Sequence, residues 1–165
     1  RHLPPHQEGR AMTLPAARSP MLKDHPDHHD AELVIRLYEL RREGVMRAAR
    51  DAIYEQFTPK SYADLKEVHA NRKHPLNAAY RQVGAYWEMV YGMAKHGIVH
   101  ADFLIENNGE GFFLLAKVHP FLKELRAETS PAQFQNAEWA ATHTEEGKTR
   151  FARIQGIVEK QRAAK

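Results

Sequence analysis

A chain of 165 residues, 42% of them hydrophobic and 27% charged, has the balance of one globular domain and too little length for two comfortable ones. It contains no cysteine, which excludes a disulfide framework, a thiolate zinc site, an iron–sulfur cluster and a cysteine nucleophile, and points to a reducing cytoplasm. The formal charge is only +3, and no stretch reaches the roughly 20 apolar residues of a membrane span, because Lys117 and His119 break the longest candidate, around GFFLLAKV.

Five of the nine prolines fall in the first 26 residues, so residues 1–26 read as a flexible Pro/His-rich arm before a single helical domain over 27–165. The opening RHLPPHQEGRAM has no initiator methionine and no secretory pattern, and Met12 or Met21 is the expected start. The arm ends in HPDHHDAELV, where His25, His28 and His29 alternate with Asp24, Asp27 and Asp30. These are ligand types that zinc, nickel or copper accept, but the stretch lacks the rigid support a metal site needs. The histidines are weak candidates, no dedicated metal or other cofactor is expected, and Asp27 or Asp30 is expected to cap a helix.

From Asp30 to Phe57, Val34, Leu37, Tyr38, Val45, Ala48, Ala49, Ala52 and Ile53 recur at helical spacing and predict one long helix ended by Thr58-Pro59. Glu32 with Arg36 and Glu43 with Arg47 are four apart and support its solvated face. Ser61 and Asp64 have capping-box spacing before a short helix that Asn71 to Pro75 ends. A central helix follows, with Ala79, Tyr80, Val83, Tyr86, Trp87, Val90, Tyr91 and Ala94 on one broad stripe, and it ends at Gly97. A short helix over Ala101 to Glu106 and a turn at NNGEG lead to FFLLAKVHPFLKELRAE, a helix kinked at Pro120. Ser130-Pro131 with Gln133 is expected to cap a helix through about Ala141, and Thr144 to start the last one. No segment alternates as a strand does. The expectation is an all-α, compact bundle of about five to seven helices.

Three of these runs in this order, DAELVIRLYELRREGVMRAAR, YWEMVYGMAKHGIV and FLLAKVHPFLKELR, resemble the bacterial helical proteins catalogued as domain of unknown function forty-seven-sixty, over roughly Asp30 to Arg126. The resemblance implies a compact all-helical fold without an assigned activity, and it brings no catalytic residue with it.

Glu88, between Trp87 and Met89, is the carboxylate most embedded in an aromatic run. Such a group can act as a general acid or base, but the stronger expectation is a structural ion pair with an arginine of another helix, Arg50 or Arg126 first and Arg41 as a further candidate. No residue is expected to be catalytic. No G-x-S-x-G elbow or phosphate-binding glycine loop is present.

Charge is unevenly spread: Gly147 to Lys165 carries six basic residues and one acid, whereas residues 31–146 hold fourteen basic and sixteen acidic ones. Nucleic acid would therefore be met by the last helix, with Arg150, Arg153, Lys160 and Arg162 toward phosphates and Phe151, Ile154 and Ile157 or Val158 docking it. The favoured expectation is a cytoplasmic, non-enzymatic protein that works by self- or hetero-association through long amphipathic helices. A nucleic-acid module and an enzyme centred on Glu88 are the alternatives.

Overall fold

A computed structural model of the chain describes residues 22–165. The first helix, α1 (His28–Arg42), begins where Asp27 and Asp30 close a capping box. The Asp27 carboxylate accepts from the Asp30 N–H at 3.1 Å, and the Asp27 N–H donates to Asp30 at 2.9 Å, so two N–H groups that the helix leaves free are satisfied. Asp30 is fully buried and also accepts from Lys23 Nζ at 2.9 Å and the His100 N–H at 3.1 Å. The end of the expected arm is thereby tied to the helix through Lys23; residues 1–21 of that arm lie outside the described residues.

The long helix expected from Asp30 to Phe57 breaks in two. Glu43 leaves helical geometry with ψ 141 and its side chain accepts from the Met46 N–H at 3.1 Å, which starts α2 (Gly44–Gln56). A poor helix former, Gly44, beside a residue able to cap the next turn makes the break locally favourable. Ser61 and Asp64 form the capping box their spacing predicts, opening α3 (Tyr62–Ala70). The central helix, α4 (Asn77–Lys95), buries Tyr80, Val83, Trp87, Val90, Tyr91 and Ala94. It is followed by Gly97 at φ 69, a left-handed conformation that glycine adopts without a Cβ clash.

His100 caps α5 (Ala101–Asn108), its Nδ1 accepting from the Phe103 N–H at 3.1 Å. The next helix, α6 (Gly111–Val118), passes through a 3-10 turn at His119–Phe121 into α7 (Leu122–Glu128), because Pro120 has no N–H to continue the ladder. The chain closes with α8 (Gln135–His143) and α9 (Glu145–Ala164). Against the about five to seven helices expected, the described residues form nine, since two of the segments read as single helices have divided. None of those helices is long and apolar enough to cross a membrane.

The middle of the molecule is α4, with α2 on one side and α8 on the other, while α9 lies across α6 and α8. An aromatic stack joins these layers: Trp87 and Tyr91 have ring centroids 5.7 Å apart, and Tyr91 and Phe112 5.0 Å. Burial of such rings supplies the largest apolar contributions available to a core of this size.

Candidate functional site

Glu88 does not find the arginine expected of it. Its carboxylate accepts from the backbone N–H groups of Asn136 at 3.0 Å and Ala137 at 2.8 Å, the second and third residues of α8. The Asn136 side-chain amide returns a bond to the Glu88 carbonyl at 3.0 Å. Glu88 therefore caps α8 from another helix, and the Ser130 cap expected for that helix is corrected: α8 starts only at Gln135, after Phe134 in the left-handed region at φ 56 with no side-chain cap of its own. A helix N-terminus offers a carboxylate both free donors and a favourable dipole, so no guanidinium is required. Burial raises the Glu88 pKa above its ordinary value, while the two amides pull it down.

The candidate arginines have other carboxylates. Arg50 grips Glu110 with Nε and Nη2, each at 2.8 Å, and Arg41 reaches the same Glu110 at 3.2 Å. Arg50 also donates to the Arg41 carbonyl at 3.1 Å, so this cluster fastens α1, α2 and the start of α6 across the break at Glu43. Arg126 pairs with Glu138 at 3.1 Å and donates to the Gln133 carbonyl at 3.0 Å. Glu110 lies in NNGEG, which the sequence presents only as a turn.

A buried cation was also missed. Lys117, 1% exposed, donates to the Ile53 and Tyr54 carbonyls, each at 2.9 Å. It adds donors to carbonyls in the last turn of α2, where the Ile53 carbonyl also accepts from the Phe57 N–H at 3.2 Å, and burial lowers its pKa to about 8. Its signal was a charge placed inside the most apolar run of the chain.

Of the four residues expected to face phosphates, two are engaged. Arg150 pairs with Glu146, and Arg162 donates to the Pro59 carbonyl at 3.1 Å and the Lys117 carbonyl at 3.2 Å, its guanidinium over Phe121. Arg153 and Lys160 are exposed. Phe151, Ile154 and Val158 dock α9, while Ile157 remains outward. At the other end of the chain, His25, His28 and His29 are exposed around the α1 cap. Among the described residues no three His, Asp or Glu side chains are grouped to hold a metal ion.

The surface feature that stands out lies on α1. Ile35 is 60% exposed and Tyr38 46%, with Leu40 and Val45 also outward. Ala31, Ile35, Tyr38 and Arg42 follow one side of α1 at the 3-4 spacing of a helix–helix seam. The expected pairs Glu32–Arg36 and Glu43–Arg47 do not form within 4.0 Å, and Arg42 has no carboxylate at that distance among the described residues. Arg41 and Arg42 do cover the Tyr38 ring, at 5.1 and 5.5 Å from its centroid.

A comparison with protein-family models matches residues 26–144 to a domain of unknown function, DUF4760. No curated protein and no solved structure matches the chain. With an all-helical fold and a family match over most of its length, the chain belongs to the DUF4760 family.

Proposed function

We propose that this protein works by self-association, two copies packing their α1 helices antiparallel along the stripe of Ala31, Ile35 and Tyr38. The observation that carries the reading is that Ile35 and Tyr38 stand open to solvent on α1, beside Glu32, Arg36, Glu39 and Arg42, which have no ion-pair partner within 4.0 Å among the described residues. A two-fold axis between Arg36 and Leu37 sets Ile35 against Tyr38 of the second copy twice over. It also brings the early acid Glu32 near the late base Arg42, and antiparallel helix dipoles add to the match.

Four half-exposed side chains that become buried contribute about 4–6 kcal/mol, most of which the lost freedom of the two chains offsets, so the association is weak, about millimolar. Sedimentation of the full chain up to about 1 mM should show a reversible dimer, and Ile35→Glu, on an exposed position, should leave a folded monomer. A parent chain that stays monomeric throughout would remove this reading. Nucleic-acid binding through α9 is supported less, since Arg150 and Arg162 are engaged. Catalysis at Glu88 is also supported less, since both its oxygens hold backbone amides.

A further inference from the structure

We propose that the cleft bounded by α3, α4, α7 and the turn before α8 binds a small organic acid with one carboxylate and an apolar body. Its volume is about 430 Å³, within the range of roughly 300–1,000 Å³ found for ligand pockets. Two polar groups among its lining residues have no hydrogen-bond partner among the described residues: the hydroxyl of Tyr80, a residue only 7% exposed, and Nε2 of His69. Buried polar atoms are almost always satisfied, so two unsatisfied ones at a single cleft call for an explanation.

The chemistry at this end is a hydroxyl donor beside an uncharged ring. Burial drives the Tyr80 pKa up, which keeps its proton in place to donate, and drives that of His69 down, which leaves a neutral imidazole. Arg81, one residue along α4, is an exposed residue that lines the same cleft and has no ion-pair partner within 4.0 Å among the described residues. A guanidinium fork fits a carboxylate with two parallel bonds.

Beyond it the lining becomes apolar, with buried Leu125 and Phe134 and the small, exposed side chain of Ala85. Phe134 is held there in the left-handed conformation at φ 56, its ring edge-on to Tyr80 at 6.3 Å. Strained backbone of this kind persists where surrounding structure enforces it, often at ligand sites. The far end is closed by Glu88, seven residues or about 10 Å from Arg81 along the helix. Its carboxylate disfavours a second acid group. One acid head at Arg81 and a short hydrocarbon body over Ala85 match this layout.

Isothermal titration of the full chain with sodium octanoate tests this, with octanol and octylamine as comparison probes. Octanoate should bind one to one, with octanol and octylamine each weaker by about tenfold or more. Arg81→Met should bring octanoate down to the level of octanol, and Ala85→Phe should remove binding of both, with unchanged far-UV circular dichroism because both positions are exposed. Failure of octanoate to bind, equal binding of octanol, or binding unaffected by Arg81→Met would each overturn the proposal.

Discussion

Replacing Glu88 separates two ways in which a carboxylate can be held. In Glu88→Ala the N–H groups of Asn136 and Ala137, now bonded at 3.0 and 2.8 Å, lose their acceptor. Each such loss costs about 1–3 kcal/mol, and water entering the adjoining cleft recovers part, so about 2–4 kcal/mol is expected. At about 2–4 °C per kcal/mol, the melting temperature should fall by about 5–15 °C. Glu88→Gln keeps the shape and one acceptor oxygen. Burial already raises the Glu88 pKa, so loss of the charge sacrifices little, but one of the two amides loses its acceptor, and about 1–2 kcal/mol is expected.

The pH dependence carries a matching sign. A carboxyl whose folded pKa lies above its unfolded value favours the fold below the unfolded value of about 4.5. That contribution is lost as pH rises through the folded pKa. Glu88→Gln should therefore flatten a decline in stability that begins near pH 4.5. Equilibrium urea unfolding across pH, with hydrogen exchange at the Asn136 and Ala137 amides, measures both effects. Equal costs for Gln and Ala, or protected amides in Glu88→Ala, would refute the cap.

Glu110→Gln should cost about 1–3 kcal/mol in urea unfolding, because Arg41 and Arg50 both depend on that carboxylate. Lys117 has its pKa lowered to about 8 by burial; the unfolded chain then binds more protons above that value, so stability should rise from about pH 8 toward 10, a slope that Lys117→Met should abolish. Gly147 is in the first turn of α9, where an added Cβ would fall onto the Ala140 carbonyl oxygen; Gly147→Ala should destabilise by about 1–3 kcal/mol or more, seen as a lower melting temperature, and an unchanged one would show that α8 and α9 can separate there freely.

Local signals carried most of the fold. Periodic apolar residues located the central helix, Ser61 with Asp64 marked the start of α3, and Gly97 marked the end of α4. What was illegible depended on groups distant in sequence. Glu88 gives no local sign that the free amides 48 and 49 residues later will meet it, and a charge among aromatics suggests a guanidinium first. Glu110 was hidden by glycines, although it collects two arginines 60 and 69 residues away. The break at Glu43 is a contest between one continuous helix and a capped restart, and periodicity alone does not register it.

The association of α1 with a second copy is tested most directly by cross-linking, which the absence of native cysteine makes clean. Chains carrying Ile35→Cys and Tyr38→Cys, mixed near 1 mM and mildly oxidised, should form the mixed disulfide dimer much faster than two chains carrying Glu159→Cys, an exposed position on α9. A mixed dimer no more abundant than the Glu159→Cys control would contradict the antiparallel α1 contact.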